Sequence, residues 1–137
     1  MLNADFFTRV AIAFAIIIGG FGSYLFYNWM LRLRAPSLLA DLGPTRPDAF
    51  TLVYFTTPTC VPCKTVQRPA IQNLSQMLGN TLQVFEIDAT ERPDLANRWG
   101  VMSVPTTFVI DPDGKLRHVN HGVTRAEQLL TQVHGME

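Results

Sequence analysis

The sequence predicts an α/β domain, a four-stranded mixed sheet flanked by helices, preceded by one N-terminal transmembrane helix. Three observations predict it. Residues 10–31 form a run of 22 residues without a charge. From residue 51 onward, short runs rich in β-formers alternate with helix-patterned stretches in the order β-α-β-α-β-β-α. The only two cysteines, Cys60 and Cys63, stand three apart where the first strand meets the first helix.

The apolar run comes first. As a helix, 22 residues reach about 33 Å at ~1.5 Å per residue, enough for a hydrocarbon core of about 30 Å. A domain within a chain of 137 residues could hardly surround so long an all-round apolar helix. A cleavable leader has an apolar stretch of only ~7–15 residues ending in small side chains. Here the run ends in Tyr24, Tyr27 and Trp29, then Arg32 and Arg34, an aromatic belt followed by basic anchors. Residues 1–34 therefore read as a retained single-pass anchor. Arg32, Arg34 and Arg46 against Arg9 and the amino terminus lean toward a cytoplasmic C-terminal domain, by one or two charges; the extracytoplasmic side is the alternative. Ala11, Ala15, Gly19 and Ser23 form one small-residue face, which is ordinary membrane-helix composition or a weak homodimer contact.

Residues 35–50 hold three of the nine prolines and read as a linker with at most one short turn or helix. The domain is expected over 51–137. Residues 51–56 (TLVYFT) read as a strand buried on both faces. Residues 60–78 read as a helix with Val66, Ala70, Ile71, Leu74, Met77 and Leu78 on its apolar stripe and Gly79 at its end. Residues 82–88 are a second strand. Residues 93–99 are a short helix with Pro93 in its first turn and Gly100 just past it. The strand at 106–110, the turn at 111–114 and the strand at 116–121 form a hairpin. Thr124-Arg125-Ala126-Glu127 reads as a capping box that opens a last helix, burying Ala126, Leu129, Leu130 and Val133. The β-α-β-α-β portion is expected to pair in parallel through right-handed crossovers.

The charge balance, 11 basic against 11 acidic residues, gives no reason to expect a nucleic-acid partner. The chemistry lies in Cys60-Val61-Pro62-Cys63. Pro62 suits a first helical turn, where its missing N–H would be unpaired anyway. Cys60 then sits at or beside the N-cap, where free N–H groups and the helix dipole favour its thiolate. Cys63, one turn in, is expected to be more buried and to resolve a mixed disulfide formed by Cys60. Zinc would need four ligands. His118 and His121 are three apart on an expected strand and point to opposite faces, so no metal site is expected. An inert structural disulfide is the remaining alternative, though so short a loop would constrain little of the unfolded chain.

Over residues 50–135 the chain resembles the thioredoxin superfamily. The matching stretches are TLVYFTTPTCVPCK, VFEID, WGVMSVPTTFVID and HGVTRAEQLL. The resemblance implies a thioredoxin-like fold whose first β-α unit is trimmed into residues 35–50. It implies Cys60 and Cys63 as the catalytic pair, with no cofactor beyond their redox-active disulfide. It implies that Val104-Pro105 is a cis-proline loop facing the cysteines and that Thr59, Val61, Pro62, Val104 and Pro105 contact substrate. Val61-Pro62 between the cysteines is similar to the reducing members, including the membrane-anchored TlpA-type thiol reductases. The chain departs from the family at four places. Thr59 replaces the tryptophan before the first cysteine, Tyr54 the buried acid, and Val84 the lysine that often accompanies that acid. The helix proline, Pro69, comes six residues after Cys63 rather than five.

The expected function is a membrane-tethered thiol–disulfide oxidoreductase that reduces protein disulfides and is itself re-reduced by an electron donor the sequence does not identify. The alternatives are a thioredoxin-like binding module with little or no turnover, and an oxidase or isomerase.

Overall fold

The structure is a computed structural model that describes residues 2–135. Residues 136 and 137 of the expected domain lie outside the described residues. The chain divides into two compact units, one through Leu33 and one from Arg34 onward.

The first unit lies within helix α1, Leu2–Ala40. Its stretch Asn3–Arg34 is long and apolar enough to cross a membrane, with none of its most apolar window buried against protein. At ~1.5 Å per residue these 32 residues span about 48 Å. Helical structure continues beyond the aromatic belt to Ala40, so helix occupies the first part of residues 35–50.

The second unit carries β1 (Phe50–Thr56), α2 (Arg68–Leu78), β2 (Leu82–Asp88), α3 (Pro93–Arg98), β3 (Thr106–Ile110), β4 (Leu116–His121) and α4 (Ala126–His134). The four strands form one mixed sheet in the order β2-β1-β3-β4. All seven residues of β1 are buried, as a central strand covered on both faces demands. On one face Leu52 and Tyr54 pack with Ile71 and Leu74 of α2, Leu129 and Val133 of α4, and both cysteines. On the other face Phe55, Trp99 and Phe108 form an aromatic cluster with centroids 4.9–6.0 Å apart.

Three expectations are corrected. First, β1 pairs with β2 in parallel but with β3 antiparallel, Phe55 opposite Thr106 and Thr51 opposite Ile110. A parallel β3 would require α3 to carry the chain back along the sheet. Its six residues cover about 9 Å, against about 23 Å for a seven-residue strand. The connection instead stays at one end of the sheet. The Ala89 N–H donates to Thr56 O at 2.9 Å as the connection leaves β2, and Thr106 re-enters opposite Phe55. Pro105 thereby arrives at the end of β1 from which the cysteine segment departs.

Second, the helix after Cys60 is not regular. Cys63–Gln67 forms a π turn ahead of α2, and the Arg68 N–H donates to Cys63 O, five residues back. Pro69 follows and has no N–H to give. Gln67, four residues after Cys63 and four before Ile71, lies with them on the inward face. Gln67 is fully buried, while Val66 and Met77 of the expected stripe are 44% and 56% exposed. Gly79 ends α2 at φ 55°.

Third, Thr124 does not cap α4. The N-cap is Arg125, extended at φ −72°, ψ 155°, and no side chain caps the helix. Thr124 is instead held back by the Gln67 side chain. Leu129 and Val133 are buried; Ala126 and Leu130 are half-buried.

Candidate active site

Strand β1 ends at Thr56, and the chain turns through Thr57–Thr59 so that the Cys60 N–H donates to Thr57 O at 3.2 Å. Helical geometry begins at Val61. Cys60 therefore stands immediately before a helix start. The Cys63 N–H, one of the donors that a first helical turn leaves unpaired, points at Cys60 Sγ at 3.2 Å. A donor in that position stabilises negative charge on the Cys60 sulfur when the pair is reduced.

The two sulfurs are joined as a disulfide, with the Cα atoms 5.3 Å apart. Cys63 is fully buried and Cys60 is 9% exposed, so Cys60 is the cysteine nearer solvent. Thr59 and Pro62 are exposed, and Val61 is 67% exposed. The Val104–Pro105 peptide bond is cis. Val104 packs against the cluster that contains both cysteines, and Pro105 is buried at the head of β3. The structure thus gathers Cys60, Cys63, Val61, Pro62, Val104 and Pro105 at one end of the sheet. Met102, two residues before Val104, is 87% exposed at the same loop.

Beneath the pair lies Tyr54, 1% exposed. Its hydroxyl donates to Cys63 O at 3.1 Å, the same carbonyl that accepts the Arg68 N–H. Burial pushes the Tyr54 phenol above its ordinary range, so it remains a proton donor near neutral pH. The charges that act on Tyr54 are Glu86 and Arg68, ion-paired at 2.5 Å and both more than 40% exposed. They line, with Tyr54, Ile71 and Val84, a cleft of about 450 Å³ between α2 and β2. Lys64 is exposed on the π turn. Among the described residues, no three His, Cys, Asp or Glu side chains gather where they could hold a metal ion.

Sequence reasoning missed Gln67. Its side-chain amide, fully buried, accepts the Thr124 N–H at 2.8 Å and donates to Thr124 O at 3.1 Å. Its spacing was the available sign, since Cys63, Gln67, Ile71 and Leu74 share one helical face. One residue added between Cys63 and the helix proline fits a π turn.

Comparison with known proteins agrees with this geometry. The family model described as Thioredoxin matches residues 45–134. The chain is 34% identical to thioredoxin of Bacillus subtilis (strain 168) over 82 residues, covering 60% of this chain and 77% of that protein. It is 37% identical to the chloroplastic thioredoxin Y of Oryza sativa subsp. japonica over 82 residues, again 60% of this chain but 48% of the rice protein. Among solved structures, chloroplastic thioredoxin z superposes with a TM-score of 0.60 at 24% identity, over 65% of this chain and 79% of that one.

Proposed function

The chain belongs to the thioredoxin family, and from that premise we propose that it is a membrane-tethered oxidoreductase that reduces protein disulfides through Cys60 and Cys63. The observation that carries the proposal is the disulfide itself. It joins a less buried cysteine at a helix start to a fully buried one a turn further in, beside a cis-proline loop.

In the reduced protein the Cys60 thiolate attacks one sulfur of a substrate disulfide. A Cys60–substrate bond forms, the substrate disulfide breaks, and the first substrate thiol leaves. The Cys63 thiolate then attacks Cys60 Sγ, releasing the second substrate thiol and forming the Cys60–Cys63 disulfide seen here. Two electrons have passed to the substrate, and a dithiol donor must return them. Thr59, Val61 and Pro62 on one side and Val104 and Pro105 on the other border the pair, and the backbone at Val104-Pro105 would take the substrate as a short added strand. The apolar stretch Asn3–Arg34 supports tethering by its length and composition.

A specific observation favours one rival reading, a binding module with little turnover. The buried group beneath Cys63 is a phenol held protonated, which takes no proton from Cys63. Trapping separates the two. Reduced Cys63→Ser protein mixed with an oxidised protein substrate should accumulate a mixed disulfide at Cys60. A binding module would form no covalent adduct.

A further inference from the structure

We propose that Gln67 is a positioning residue that sets how the active-site edge meets a protein substrate, without taking part in the thiol chemistry. The proposal rests on the oxidoreductase reading above. It begins with a buried polar group that the mechanism does not use. Gln67 has no exposed surface, and both ends of its amide are spent on a single residue, Thr124, 57 positions away. An amide that accepts from one residue's N–H and donates to the same residue's C=O pairs with it as a neighbouring strand would. Thr124 itself is 3% exposed, so neither of its backbone groups has water as a ready alternative.

What this fixes is the stretch between β4 and α4. At its other end the Gly122 N–H donates to Pro105 O at 2.9 Å, with Gly122 at φ 88°. Gly122 is thus bonded to the cis-proline residue and Thr124 to the turn that follows Cys63. Val123, between two pinned residues, presents a side chain 43% exposed. A continuous run of contacts results: Cys63, the π turn, Gln67, Thr124, Gly122 and Pro105. The cysteine helix and the cis-proline loop come from distant parts of the sequence, and this run holds their spacing. Gln67 is available to it because it stands four residues from Cys63 and four from Ile71, on the buried face of the helix. A polar residue that is fully buried and doubly bonded on an otherwise apolar face is costly to keep for packing alone.

The test uses the full chain in detergent or lipid, with two oxidants. Insulin needs docking against the active-site edge; 5,5′-dithiobis(2-nitrobenzoate) needs only an accessible thiolate. Gln67→Met keeps the shape and removes both hydrogen bonds. Its KM for insulin should rise about tenfold with kcat unchanged, while its rate with the small disulfide stays within about twofold of wild type. Gln67→Asn keeps a neutral amide one methylene too short to hold both hydrogen bonds; it should raise the KM for insulin in the same sense by less, and it decides the matter if Gln67→Met does not fold. Equal losses with both oxidants, or no change with insulin, overturn the proposal. Hydrogen exchange at the Thr124 amide distinguishes the two levels of the argument. A wild type that reduces neither oxidant defeats the oxidoreductase reading. Thr124 protection that is unaltered in the Gln67 variants defeats the clamp, whatever the activity.

Discussion

Tyr54 occupies the position beneath the resolving cysteine where the family carries an acid, and its hydrogen-bond role differs in kind. A carboxylate accepts protons; this phenol, held protonated by burial, donates to Cys63 O. The hydroxyl therefore acts on the backbone of the π turn rather than on the Cys63 thiol. Tyr54→Phe is expected to cost about 1 kcal/mol in a denaturant titration, the worth of one net hydrogen bond. Insulin reduction should persist within a few-fold, and a collapse of kcat would assign the phenol to proton transfer instead. A second residue prediction concerns the end of β2. Asp88 accepts from the Thr90 hydroxyl at 2.6 Å and the Thr90 N–H at 2.8 Å. These bonds, the hydroxyl first, hold the Asp88 carboxyl below its ordinary 3.8. A carboxyl lowered in the folded state stabilises the fold above its unfolded pKa, and that contribution fades as pH falls through the folded value. Following the Asp88 side chain by NMR between pH 2 and 6 should show the midpoint below 3.8. In Thr90→Val the midpoint should move upward; an unchanged midpoint would contradict the assignment.

At the scale of elements, much of the second unit was legible because each strand and helix carries its own period. The run TLVYFT reads as a doubly covered strand, and all of β1 is buried. The hairpin and its turn were marked by Asp111-Pro112-Asp113-Gly114, and β3 and β4 pair antiparallel. The cysteine pair was legible for the same local reason, since Pro62 and the preceding strand place it at a helix start. What could not be read depends on contacts between distant residues. The direction of β3 follows from how little of the sheet α3 can traverse, and a helix pattern does not say which way the next strand runs. The π turn depends on Pro69 meeting a helix already positioned by Cys63. The capping motif at Thr124 failed because Gln67 claims that backbone first. Stability measurements can check which positions of the cysteine helix are buried. Val66→Ala should change stability by less than about 0.5 kcal/mol, as expected for a surface site. Leu74→Ala, fully buried, should cost about 2–5 kcal/mol. A Val66→Ala penalty as large as that of Leu74→Ala would contradict the exposed placement of Val66.

At the scale of the whole molecule, the proposal joins a long apolar helix to a redox unit. Such a tether would confine a thiol reductant to a membrane surface and limit it to substrates and donors on one side. Alkaline carbonate extraction should leave the full chain in the membrane pellet, because an apolar span of this length is held by the hydrocarbon and not by charge. Removing residues 1–33 should release the remainder to the soluble fraction; a full chain extracted by carbonate would contradict tethering. The central claim is electron transfer through the cysteine pair. It is tested most directly by a single turnover of the reduced full chain with excess insulin, in the absence of any other reductant. The expected result is one disulfide reduced per chain, with Cys60–Cys63 as the oxidised product, and no reduction by Cys60→Ala. A dithiol that stays reduced in the presence of insulin, or a Cys60→Ala protein as fast as wild type, would contradict it.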